Sequence, residues 1–122
     1  ALVVGGKLAN IKFLASSERL SPASETFSAS APLPESRTGL GLSQLSSGRL
    51  LATAGLHGST AGFELLQDAY VYDPDAATWS TLGPLASARV LHSSTVLLTG
   101  EVLVVGGLGA NKVLKSAELA IP

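Results

Sequence analysis

Several residues in this chain are of types that carry chemistry, and their spacing decides which chemistry is open to them. The stretch Val102-Leu103-Val104-Val105-Gly106-Gly107-Leu108-Gly109-Ala110 reads as a strand entering a glycine-rich phosphate loop, with residues 112–119 as a candidate helix. A dinucleotide site wants G-x-G-x-x-G and an acidic residue about 20 positions later. Counted from Gly107 the third glycine falls on Lys112, and the chain ends before the acidic residue is reached. Val3-Val4-Gly5-Gly6 repeats the strand and doublet without any second glycine pair, so a turn explains both copies better.

His92 is followed at once by Ser93, Ser94 and Thr95, but neighbours in a strand point to opposite faces and no acidic residue stands near to orient the ring. A structural histidine bonded to backbone or water is the preferred reading. Asp73, Asp75 and Glu64 invite a calcium reading. However, Asp73-Pro74-Asp75 is ordinary turn chemistry, and its counterpart Ser21-Pro22-Ala23 has no carboxylate. No G-x-S-x-G elbow occurs, so the many serines have no convincing base. No catalytic residue, metal site or cofactor is therefore assigned.

Composition narrows the partners. The chain has 122 residues, is 46% hydrophobic and carries only 14% charged residues, which is too apolar for a disordered chain. A net charge of -1 provides no positive field for a phosphate backbone, so nucleic acid is not expected. Without cysteine there is no disulfide and no thiolate zinc site. No apolar run approaches ~18 residues, so no membrane span is expected. The absence of methionine suggests a processed or excerpted piece. The compartment stays open, with a lean to a secreted or cell-surface setting.

The elements that position these residues emerge from a repeat. Pro22 and Pro74, Thr26-Phe27 and Thr78-Trp79, Arg37 and Arg89, Gly48 and Gly100, and Ala54-Gly55 and Gly106-Gly107 are each 52 positions apart. Gly5-Gly6 precedes Ala54-Gly55 by 49, and Pro74 precedes Pro122 by 48. Length therefore varies between the glycines and the following proline, as it does in loops. Within a period, residues 92–98 and 102–105 read as two antiparallel strands joined by a tight turn at Thr99-Gly100. Residues 68–72 form a third strand, with Tyr70 and Tyr72 on one face, and Asp73-Pro74-Asp75 turns into a short fourth at 78–82, which Gly83-Pro84 stops. Such a unit cannot bury both faces alone, and radial stacking solves this.

These landmarks resemble the kelch-repeat family: the Gly-Gly doublet after an apolar strand, Tyr70-Val71-Tyr72-Asp73-Pro74, Thr78-Trp79, and Ala88-Arg89 followed by His92. The resemblance implies an all-β fold, a kelch-type β-propeller segment of four-stranded antiparallel blades, with strands a to d counted outward from the axis. Residues 1–34 are then a partial blade (b-c-d), 35–86 a complete blade and 87–122 a partial blade (a-b-c), about two and a half in all. In the first copy Phe27 replaces tryptophan and is expected to bury its ring between blades. Open ends that duplicate b and c favour an excerpt of a longer chain, partnered by the remaining blades of that chain, over further copies of itself.

Kelch-like geometry implies that Arg37 and Arg89 lie just before strand a, near the mouth of the central channel. There, two cationic forks would be placed to grip an acidic peptide. The preferred alternative is that each guanidinium hydrogen-bonds carbonyls of its own or the next blade and holds the d–a turn. Residues 57–64 read as the longest b–c loop, flexible and polar, tipped with an aromatic. The expected function is a non-catalytic scaffold presenting b–c and d–a loops on one face to a protein or peptide, with Arg37, Arg89, His57, Phe63 and Glu64 as candidate partner-binding residues. The other reading is part of a carbohydrate-binding or oxidase-like enzymatic propeller, to which His92 would supply at most one ligand.

Overall fold

The structure, a computed structural model, describes residues 1–9 and 12–122. Its strands are β1 (Leu2–Val4), β2 (Lys7–Leu8), β3 (Lys12–Phe13), β4 (Ser17–Ser21), β5 (Thr26–Ser30), β6 (Gly41–Gln44), β7 (Leu50–Ser59), β8 (Gly62–Asp73), β9 (Thr78–Pro84), β10 (Ser93–Val96), β11 (Val102–Val105) and β12 (Ala117–Ala120). The fold is all-β, built of small antiparallel sheets: β1-β4-β5, β6-β7-β8-β9, β10-β11-β12 and the pair β2-β3. The first three are called here the first, second and third sheets. Residues after Gly107 form no helix, which removes the phosphate-loop reading.

The sequence repeat is carried into the hydrogen-bond register. Leu2 pairs with Arg19, Leu51 with Val71 and Leu103 with Leu119, so the three sheets align residue for residue. The hairpins repeat as well: Gly48 and Gly100, at φ 84° and 92°, donate to the carbonyls of Leu45 and Leu97. The doublets share one backbone shape, with φ 65° and 111° at Gly5-Gly6, 53° and 114° at Ala54-Gly55, and 68° and 91° at Gly106-Gly107. Ala54 thus keeps the left-handed conformation despite its Cβ, at a cost of about 1–2 kcal/mol.

The second sheet packs on both sides. Its Leu51, Ala69 and Val71 meet Val102, Val104 and Ala120 of the third sheet in the main buried cluster. Each leucine or valine side chain among them, when fully buried, contributes about 1.5–3 kcal/mol. Inner strands approach closely here because Gly41 has no side chain; a Cβ would lie 2.7 Å from both His92 Nε2 and Thr53 Oγ1. The opposite face meets the first sheet through its outer strands. The Tyr72 ring lies 5.0 Å from Trp79, and the Trp79 indole N–H donates to the Ala31 carbonyl at 2.9 Å.

Four expectations need correction. Residues 57–64 are not a loop: β7 and β8 continue through them as a hairpin, Ser59 pairing with Gly62 across the two-residue turn Thr60-Ala61, with Gly62 at φ 129° just after it. β9 does not stop at 82 but pairs on through Gly83↔Ala69 and Pro84↔Asp68 past a bulge and ends at Pro84; a proline is tolerated on this edge strand. The inner strand expected at 92–98 is shorter, Ser93–Val96. Phe27 is 55% exposed instead of buried. Trp79 finds the first sheet to lie against, whereas Phe27 faces the side of the first sheet that no described sheet covers. The β2-β3 pair, with Lys7↔Phe13, was not foreseen.

Candidate functional site

The β7-β8 hairpin tip is seated by a close approach. Gly58 lies flat on the Phe13 ring, where a Cβ would come within 2.1 Å of a ring carbon, so the β2-β3 pair braces the hairpin from below. Phe63 stands tilted 6.0 Å from Phe13 and is 62% exposed. Lys7 Nζ reaches over the other flank of Phe13, 5.8 Å from its centroid. His57 Nδ1 lies 2.9 Å from the Ser36 carbonyl and 3.0 Å from the Ser36 hydroxyl. Its Nε2 faces Glu35 Oε1 at 3.8 Å. Glu35, His57, Ser59, Phe63 and Glu64 line a shallow concavity of about 310 Å³. An exposed aromatic beside a histidine and two carboxylates can hold an apolar side chain next to a hydrogen-bond donor or a cation.

His57, Phe63 and Glu64 thus come together at the hairpin tip, His57 paired with Glu64 and Phe63 paired with Gly58 over Phe13, joined by Glu35, Lys7 and Phe13, which sequence reasoning did not single out. Arg37 and Arg89 are elsewhere: both are fully buried. Arg37 donates to the Ala54 carbonyl at 3.0 Å and holds Asp68 in a two-pronged contact at 3.3 and 2.9 Å. Its guanidinium also lies 5.1 Å from the Tyr70 centroid. Burial pushes the Asp68 carboxyl up, but hydrogen bonds from Arg37 and Tyr70 and the charge of Arg37 outweigh it, leaving Asp68 below the ordinary value. Burial, followed by Asp68, pushes the Tyr70 hydroxyl up.

Arg89 repeats the arrangement with different partners. It donates to the Gly106 carbonyl at 2.8 Å, to Ser116 Oγ at 3.2 Å and to Glu118. In the shared register Ser116 stands where Asp68 stands, and Glu118 where Tyr70 stands, so the carboxylate has moved two residues along the strand and kept its face. The main chain of each arginine belongs to the preceding sheet. The Arg37 N–H donates to the Leu14 carbonyl and the Arg37 carbonyl accepts from the Gly6 N–H; Arg89 does the same with Leu66 and Gly55. Each arginine therefore ties two successive sheets, backbone to one and side chain to the next. With no accessible guanidinium surface, neither is placed to grip a partner.

His92 lies between the second and third sheets, its Nε2 2.9 Å from Thr53 Oγ1. Burial, and then the charge of Arg89, push its imidazole below the ordinary histidine value. The acid partners of the arginines were also missed from sequence. The repeated Ser-x-Glu of Ser16–Glu18 and Ser116–Glu118 was the available signal. No helix is long and apolar enough to cross a membrane among the described residues. No family model matches the chain, and no curated protein sequence matches it.

Proposed function

We propose that the chain is a segment of a kelch-type β-propeller and acts as a non-catalytic protein-interaction scaffold, presenting the β7-β8 hairpin face to a protein or peptide. The blade reading is supported by the three sheets of common register, stacked face to face and tied by equivalent arginines. The interaction reading is carried by one observation: Phe63 stands 62% exposed on a braced hairpin, with Glu64 beside it and His57 and Glu35 across the concavity. An aromatic held rigid by its supports loses little entropy on binding, which is how an anchor residue earns affinity.

The test is selection from a random peptide display library on the whole chain, followed by calorimetry on the enriched peptides. Phe63→Ala should weaken them about 30-fold, the size of an anchor-residue loss of 2 kcal/mol. Leu98→Ala, at a distant exposed turn, should leave them unchanged. Failure to enrich any peptide, or binding indifferent to both Phe63→Ala and Glu64→Lys, overturns the assignment of this face.

A further inference from the structure

The hairpin concavity is short of positive charge. Glu35 and Glu64 line it together with Phe63, and among the described residues no lysine or arginine pairs with either carboxylate. Glu35 meets only the His57 imidazole, at 3.8 Å. The tip stays open although its sheet has a neighbour on each side. The first sheet's chain braces it through Phe13 and the third sheet packs against β7 and β8, yet Phe63 is 62% exposed.

What such a set of groups holds is visible elsewhere in the same sheet. The Arg37 guanidinium lies 5.1 Å from the Tyr70 ring centroid and is gripped by both oxygens of Asp68, at 3.3 and 2.9 Å. A ring face attracts a cation and a carboxylate fixes the planar fork, so the two together favour arginine. At the hairpin, Lys7 Nζ stands 5.8 Å from the Phe13 centroid, while the Phe63 ring carries no cation among the described residues. Two carboxylates against one lysine leave the neighbourhood negative.

We propose that the side chain this concavity takes is an arginine of the partner peptide, its guanidinium laid on the Phe63 ring and answered by the carboxylates of Glu35 and Glu64. The inference rests on the interaction reading above and adds to it the chemistry of the partner: a peptide with a basic anchor. Arginine is preferred to lysine because its planar, weakly hydrated head gives up less water on a ring face and can still donate to a carboxylate at its edge. An acidic peptide is turned away by the same two carboxylates. That is the opposite polarity to the partner that accessible Arg37 and Arg89 would have gripped.

The probes are the peptides enriched on the whole chain, each resynthesised with its arginine replaced by citrulline, which keeps the shape and loses the charge. Enriched peptides should carry arginine, and citrulline should weaken them about tenfold in calorimetry, as for one ring contact and one exposed ion pair lost together. Combining Glu35→Gln with Glu64→Gln should narrow that gap to about threefold, leaving the ring contact. Neither carboxylate accepts a hydrogen bond that holds the fold, and an unchanged circular dichroism spectrum checks that the variant is folded. Combining Glu25→Gln with Asp75→Asn removes as much charge from exposed turns after β4 and β8, Asp75 lying at the end of β8 away from the hairpin tip, and should leave the gap at tenfold. Peptides that depend on Phe63 yet lack a basic residue, or bind equally well as citrulline forms, overturn the arginine and leave the hairpin face standing as a binding surface. Equal effects of the two double variants reduce the attraction to net charge and overturn it too. If no peptide enriches, the interaction reading falls and the arginine falls with it.

Discussion

The two joints between sheets do the same work with different materials. Where the second sheet meets the first, aromatic rings and polar groups prevail: Tyr72 on Trp79, the indole N–H on the Ala31 carbonyl, and Arg19 donating to the Tyr72 hydroxyl at 3.1 Å. Where it meets the third, contact is aliphatic and close, with Leu51, Val71, Val102 and Val104 buried. Both joints are nevertheless crossed by an arginine tied at its backbone and its head. The difference teaches that the repeat conserves a hydrogen-bonding task and a strand face, while the residue that answers the arginine and the filling around it are free to change.

The severest way to break the comparison is to remove the arginines. Arg37→Ala and Arg89→Ala should each cost about 3 kcal/mol in urea unfolding, because carbonyls and a half-shielded carboxylate lose their donor. Near-equal losses would show the two joints to be equivalent; a loss under 1 kcal/mol at either site would show that its arginine is not a structural tie.

A gentler change asks whether a face or a position is being conserved. Asp68→Ser alone should cost about 1–2 kcal/mol, and adding Tyr70→Glu, which rebuilds the Ser116 and Glu118 arrangement around Arg37, should recover most of it. Additive losses in that double mutant would mean that the sites are not interchangeable.

The smallest effect is in pH. His92 has its folded-state pKa lowered, so the unfolded chain takes up the proton first. Its contribution is complete above about pH 6.5 and drains away as the pH falls towards the folded value. Asp68 is also lowered, and its contribution is present above about pH 3.9 and is lost as the pH falls through the folded value. The joint with the third sheet should therefore loosen first on acidification. His92→Gln should flatten stability as the pH falls below about 6.5, and Asp68→Asn should flatten it only below about pH 4.

Much of the fold was legible because short-range signals agreed. Val102–Val105 has the bounds read from its β-branched run, and the doublets and the turn glycines fell where positive φ is needed. The arginines were harder. Their hold on carbonyls is the preferred reading of the sequence, but the answering acids lie 31 and 29 residues away, and the two-residue migration along the strand is masked by a connection four residues shorter, Ser116 lying 27 residues from Arg89 where Asp68 lies 31 from Arg37. The hairpin tip was misread because His57-Gly58-Ser59-Thr60 looks like loop composition, whereas Gly58 is small in order to lie on Phe13, a residue far away in sequence. For the same reason the site's supports, Phe13 and Lys7, escaped notice: a two-residue strand pair leaves no periodicity to detect.

An arginine claimed by the main chain of one sheet and by the polar side of the next gives the row of sheets a direction. The second sheet shows both halves at once, receiving Arg37 on one side and sending Arg89 from the other, so a reversed sheet would find neither half of the joint.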